Sequence, residues 1–164
     1  NVLVLSGGSD ATGLGKAWPT RLNATLPANT ALHWVTGPFA AAPVWPERPR
    51  TAITNHVAPK GLDRLMREAN YAVTVYGVSF YELLYYGVPT VVFSPYGNKD
   101  NAELHAIGEM GLAILADDEI DATEKLVALM ADGNMAAALS RRAMEKMAVL
   151  GGHTFAKHAA ALLE

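Results

Sequence analysis

The sequence contains no cysteine, which excludes disulfides and thiol chemistry and fits a reducing compartment. No run of apolar residues approaches the roughly 18 that a membrane span needs, and no signal-peptide pattern is visible. Basic residues are not in excess: 13 Lys and Arg stand against 16 Asp and Glu, for a net charge of −3. A surface that tracks phosphate backbones needs clustered positive charge, so nucleic acid is not an expected partner. The five histidines show no metal-ligand spacing with supporting carboxylates, and no metal site is expected. These absences place the expected protein in the cytoplasm with small-molecule chemistry.

What remains is a chain of 164 residues, 51% hydrophobic and 18% charged, long enough for one domain with a sizeable core. Short apolar runs rich in Val and Ile recur at Val2–Leu5, Leu32–Val35, Ala52–Asn55, Tyr71–Val75, Thr90–Phe93 and Leu112–Leu115. Nearly continuous apolar runs of this length read as strands buried on both faces. Amphipathic stretches lie between them. "GLDRLMREA" puts Leu62, Leu65, Met66 and Ala69 on one face and Arg64, Arg67 and Glu68 on the other. "NAELHAIGEMG" ends at Gly111. "DATEKLVALMADG" opens with Asp121 and Glu124 in capping-box spacing and stops at Gly133, after which Asn134 is the expected cap of the next helix. Asp117, Asp118 and Glu119 read as a solvated loop, Arg141 and Arg142 as a solvent face, and "HTFAKHAAALLE" as a terminal helix. The stretch "GPFAAAPVWPERPR" carries four prolines and is expected to be irregular.

Strand–helix alternation of this kind predicts an α/β fold, a doubly wound, six-stranded parallel Rossmann-like sheet over residues 1–164 as one domain. In such sheets ligands bind at the carboxyl ends of the strands, where the strand order reverses. With order 3-2-1-4-5-6 the loops after strands 1 and 4, "SGGSDATG" and "YGVS", become neighbours although about 70 residues separate them. Each carries glycine where strand gives way to helix. Two helix starts side by side, with free N–H groups and positive dipole ends, would hold a diphosphate. The first loop is neither G-x-G-x-x-G nor a P-loop, and Ser9 or Asp10 capping a helix is the plain structural alternative. The end of strand 2, "WVTGPF", lacks the carboxylate that would hold an NAD ribose, so no dinucleotide cofactor is expected. A phospho-receiver domain would want acidic strand ends, and these are Gly and Ser. In the fourth-strand loop, Ser79 and Glu82 have S-x-x-E spacing. Either they close a capping box or Glu82 accepts hydrogen bonds from a ribose diol. Gly87 and Pro89 then end that helix.

"LSGGSD", "GLDRLMREANYAVTVYGVSFYELLYYGVPTVVFSP" and "NKDNAELHAIGEMGLAIL", in this order over most of the chain, resemble the C-terminal domain of GT-B-fold nucleotide-sugar enzymes. The resemblance is nearest to the UDP-sugar hydrolases of pseudaminic acid biosynthesis, and extends to the C-terminal domains of glycosyltransferase family 28. It implies two Rossmann-like domains facing across a cleft, of which this chain is the half that binds UDP-sugar. The chain enters a strand directly from Asn1, so it is expected to be a piece whose partner is its own N-terminal domain, where the catalytic base would lie. By the same resemblance Gly7, Gly8 and Ser9, with Asp10 in the same loop, line the diphosphate. Gly77, Val78 and Ser79 approach it from strand 4, Glu82 holds the ribose, and the backbone near Val57 meets the uracil. Asn98 or Asn101 stands in for the family's Asn-Gln after strand 5. The chain departs from the pattern in having Gly77-Val78-Ser79 for Gly-Ser-Thr, and bulky Tyr85 and Tyr86 where small residues are usual. A module that binds nucleotide sugar or a partner without turnover is the alternative, and a different doubly wound enzyme such as a methyltransferase a third.

Overall fold

The computed structural model describes residues 1–150; the helix expected over 153–164 lies outside them. Six parallel strands form one sheet: β1 (Val2–Leu5), β2 (Ala31–Thr36), β3 (Ala52–Val57), β4 (Tyr71–Val75), β5 (Thr90–Phe93) and β6 (Ile114–Leu115), in the order β3-β2-β1-β4-β5-β6. The doubly wound order expected from the sequence is the one observed. Its switch point falls between β1 and β4, where Val2 pairs with Tyr71 and Leu5 with Thr74.

The helices are α1 (Trp18–Thr25), α2 (Asp63–Glu68), α3 (Val78–Tyr85), α4 (Asn101–Glu109), α5 (Glu119–Ala131) and α6 (Gly133–Leu150). Alternate residues of each strand point to opposite faces. Val2 and Val4 therefore join Trp18 and Leu22 of α1 and Leu126 and Leu129 of α5 in one core layer. Leu3 and Leu5 pack with Met66 of α2 and Leu83 of α3 on the other face. Phe80 and Leu84 of α3 meet Val92 of β5 and Leu104 and Ile107 of α4 beside that second layer. Each such fully buried side chain contributes about 1.5–3 kcal/mol. Trp18 anchors the first layer: its ring meets Trp34 and Phe93 edge-on at 5.8 and 5.5 Å, and its indole N–H donates to Thr123 Oγ1 at 3.0 Å.

The expected helix stops at Gly87 and Gly111 hold, whereas Gly133 does not stop α5, which ends at Ala131 with Asp132 as its C-cap, and instead opens α6. Gly87 (φ 65°) and Gly111 (φ 62°) supply left-handed residues after α3 and α4. The N–H of Gly87 reaches Leu84 O and that of Val88 reaches Leu83 O, the paired bonds of a Schellman stop. The expected starts do not hold. α5 is capped by Asp118, whose carboxylate accepts from the Ile120 and Asp121 N–H groups. Asp121 instead lies in the first turn and pairs with Lys125 at 2.7 Å, so the Asp121–Glu124 capping box is corrected. α6 starts on Asp132, whose Oδ1 accepts from Met135 N, and not on Asn134. In both cases an aspartate two or three residues upstream competes successfully, because its carboxylate accepts strongly from free N–H groups at a helix start. The proline-rich segment is irregular throughout residues 37–50, as expected.

Candidate functional site

The two glycine corners meet. Gly7 and Gly8 after β1 and Gly77 after β4 line a single cleft of about 300 Å³ at the carboxyl end of the sheet. Ser9, Val78 and Ser79 line it too, with Thr12, Thr74, Tyr76, Pro95 and Tyr96 completing the wall. No lysine, arginine, histidine or carboxylate side chain is among these residues. Any anion held here is held by backbone N–H groups, hydroxyls and the dipole of α3.

α3 supplies that dipole directly. Its N-cap is Gly77 in extended backbone (φ 160°, ψ −167°), and no side chain caps it. Ser79 is therefore inside the helix, and the Ser79–Glu82 capping box does not form. By position the first N–H groups of α3 lack an intrahelical partner; that of Phe80 donates to Gly77 O at 3.1 Å, and Gly77, Val78 and Ser79 line the cleft. The Glu82 side chain is exposed one turn further in and makes no hydrogen bond or ion pair among the described residues. The job that the capping pattern offered it is thus not taken, and Glu82 lines neither the cleft nor the slot that adjoins it.

The corner after β1 is built differently from the expected strand-to-helix turn. Gly7 takes φ 91° and Asp10 φ 45°. A short 3-10 turn over Leu14–Lys16 follows, and α1 starts only at Trp18. Asp10 turns its carboxylate onto this turn, Oδ1 accepting from Leu14 N and Oδ2 from Gly15 N, both at 2.8 Å. The carboxylate occupies the N–H groups that an anion would need, so among the described helices only α3 starts at the cleft. Asp10 does not line it.

Gly8 and Gly77 have a property that composition does not reveal. A Cβ on either would meet no heavy atom within 4 Å, and neither has a left-handed φ. Neither backbone geometry nor packing demands glycine at these two positions, and both open on the same cleft. Gly37, at the end of β2, is the reverse case. A Cβ there would lie 2.3 Å from Gly8 O, and the adjoining Phe39 N–H donates to Gly8 O at 3.1 Å. Gly37 holds the Gly8 loop in place, and sequence reasoning missed it, although a glycine directly after a strand was the available signal.

A second, more apolar slot of about 240 Å³ adjoins the cleft through Leu5, Gly7, Gly8 and Ser79. Val35, Pro38, Ala58, Pro59 and Leu62 line it. Ala58 takes φ 42° and donates its N–H to Thr36 O at 2.8 Å, which folds the chain over the slot immediately after Val57. Val57 itself is exposed. Asn98 and Asn101 lie on the 3-10 turn after β5 and at the start of α4, bonded to each other at 3.2 Å. Neither lines the cleft.

His33 and His56 sit on adjacent strands β2 and β3, with Nδ1 of one 3.1 Å from Nε2 of the other. Their ring centroids are 5.4 Å apart and nearly coplanar at 18°. With so short an N···N contact, that separation sets the rings end to end, and one N–H points straight at the other nitrogen. Burial, then the neighbouring His56, holds His33 below the usual histidine range. No group of three or more metal-ligating side chains occurs among the described residues.

No protein-family model and no curated protein matches this chain. Solved structures do. MurG of Acinetobacter baumannii is 19% identical over 88% of this chain and 45% of its own, with a TM-score of 0.62. The spinosyn forosaminyltransferase SpnP is 12% identical over 98% of this chain and 43% of its own, with a TM-score of 0.68. The calicheamicin glycosyltransferase CalG4 is 18% identical over 98% and 41%, with a TM-score of 0.63. These likenesses show the fold: a Rossmann-like α/β sheet shared with glycosyltransferases of the GT-B type. The chain spans less than half the length of each of these three proteins.

Proposed function

We propose that this chain binds the UDP part of a nucleotide sugar, as the donor-binding half of a glycosyltransferase or UDP-sugar hydrolase in surface polysaccharide or nonulosonic acid synthesis. The observation that carries the reading is the pair Gly8 and Gly77. Two glycines that the fold does not require face one uncharged cleft, beside the uncapped start of α3. A missing side chain is useful there if a ligand approaches the backbone closely. Backbone N–H groups at a helix start are suited to a diphosphate. The apolar slot under Ala58 and Pro59 has the character of a base site, and Glu82 on α3 is the proposed partner of a ribose diol. The fold shared with MurG, SpnP and CalG4 supports the same assignment.

In this reading the diphosphate is the leaving group. Donors already aimed at the charge that develops on it need no reorganisation during reaction. Among the described residues no side chain of the usual general bases lines the cleft; in this reading a separate N-terminal domain supplies the base, and this chain alone binds without turnover. Calorimetric titration with UDP, CMP and S-adenosylmethionine tests the assignment. UDP is expected to bind, and saturable binding of S-adenosylmethionine with none of UDP would replace the reading with a methyltransferase.

A further inference from the structure

The sheet has two edges, and they differ. β6 at one end is two residues long, whereas β3 at the other is six residues long and pairs with β2 without a break, from Ala31–Ala52 to Thr36–Val57. An unpaired strand edge invites another strand, and proteins blunt it with charges, prolines, bulges or brevity. β6 is blunted by its shortness. β3, "AITNHV", carries no charge, no proline and no bulge.

Which backbone groups of β3 are open follows from its bonds to β2. The N–H groups of Ala52 and Ala58 donate inward, to Thr30 O at 3.2 Å and Thr36 O at 2.8 Å. Backbone groups alternate sides along a strand. Thr54 and His56 therefore also face β2, while Ile53, Asn55 and Val57 turn their N–H and C=O groups outward. No turn or loop among the described residues bonds them. The side chains of these same residues share one face of the sheet, on which Ile53 packs against the core. Val57 on that face is 68% exposed.

We propose that β3 is a homodimer edge: a second copy of this chain adds its own β3 antiparallel, about a two-fold axis through Asn55. The occupant is read from self-complementarity, which a two-fold interface requires. Only the register centred on Asn55 pairs the three outward residues among themselves, Asn55 with Asn55 and Ile53 with Val57 of the second copy, for about six backbone hydrogen bonds. It sets apolar Ile53 against apolar Val57 on one face and Thr54 against His56 on the other. The same register opposes Thr51 to Pro59 at both ends. Thr51 N is already committed to Asn23 Oδ1, and Pro59 has no N–H, so the pairing stops there. Arg50 and Lys60, the nearest cations, lie beyond those ends, and Arg50 is held by the Ala24 carbonyl. The edge is two strands away from the seam of β1 and β4, so the dimer does not depend on what the cleft binds.

Sedimentation of the full chain over a concentration series is expected to show a monomer–dimer equilibrium. Val57→Lys should raise its dissociation constant at least about tenfold, since both symmetric Ile53–Val57 contacts are lost, with the melting temperature of the monomer unchanged. Because the chain has no cysteine, a single introduced one reports the register. Oxidised Asn55→Cys should yield a covalent dimer, its two Cα atoms about 5.5 Å apart, and Thr54→Cys should not, since Thr54 opposes His56. Asn55 also accepts from Thr36 Oγ1 at 2.8 Å; should the loss of that bond unfold Asn55→Cys, the Val57→Lys series decides alone. A chain that stays monomeric up to about 1 mM overturns the proposal. So does a dimer that Val57→Lys leaves intact, or one in which Thr54→Cys cross-links in preference to Asn55→Cys.

Discussion

Gly37 lies so close to Gly8 that a Cβ on it would sit 2.3 Å from the Gly8 carbonyl oxygen. Both partners in that contact are backbone, so no flexible side chain can yield. Gly37→Ala is expected to push the Gly8 loop out of the cleft and to cost about 2 kcal/mol or more. Chemical denaturation and UDP titration on the same variant check both effects.

Gly8→Ala and Gly77→Ala should behave in the opposite manner. Neither methyl group meets protein atoms within 4 Å, so stability should stay within about 1 kcal/mol of the parent. UDP affinity should fall at least tenfold, because the methyl group would occupy the ligand's space. Normal UDP affinity in both variants would remove the main support for a diphosphate site at these corners.

Glu82→Gln separates the two roles open to this residue. Because α3 is capped by Gly77 without a side-chain bond, the melting temperature should not move. UDP affinity should fall about tenfold, roughly 1.4 kcal/mol, while 2′-deoxy-UDP, which lacks half of the diol, should be nearly indifferent to the change. Equal losses for the two nucleotides would place Glu82 away from the ribose.

Asp118→Ala removes the cap of α5 and should cost about 1 kcal/mol, with UDP binding unaffected, since Asp118 does not line the cleft. Asp10→Ala should destabilise the chain in chemical denaturation, because it removes the two hydrogen bonds that tie the loop after β1 to the 3-10 turn.

The histidine pair gives a pH dependence whose sign follows from His33. Its folded pKa lies below the ordinary value of 6.5, so in the acid range the unfolded chain binds the proton more readily than the folded one. Its contribution to stability is fully present above about pH 6.5 and is lost as pH falls through the depressed folded value. His33→Gln should flatten that part of a stability–pH curve measured by denaturant unfolding. A curve unchanged by the substitution would assign the acid sensitivity elsewhere.

The sheet, its order and its switch point were legible because strands buried on both faces leave unmistakable apolar runs, and parallel connection rules allow few arrangements of them. The bounds of β1, β4 and β5 agree with the runs residue for residue. The stops at Gly87 and Gly111 were legible too, since a left-handed residue after a helix leaves a glycine. The starts at Asp118 and Asp132 were not. Several Asp, Asn and Ser residues stand near each helix, and which one caps is decided by tertiary placement. Ser79 shows the same ambiguity: its spacing to Glu82 suits a capping box, yet the β4 turn brings Gly77 to the cap. The slot under Ala58 and the brace at Gly37 depend on loops that cross between strands, and no local pattern in the sequence encodes them.

The seam between β1 and β4 has a practical consequence. It joins segments that are remote in the chain, Val2–Leu5 with Tyr71–Thr74, so such pairing carries a large loop-closure cost during folding. Severing the polypeptide at Asn70 would leave one glycine corner on each piece. Nucleotide capture by a mixture of the two pieces, and by neither separately, would then serve as a complementation signal for reassembly of the sheet.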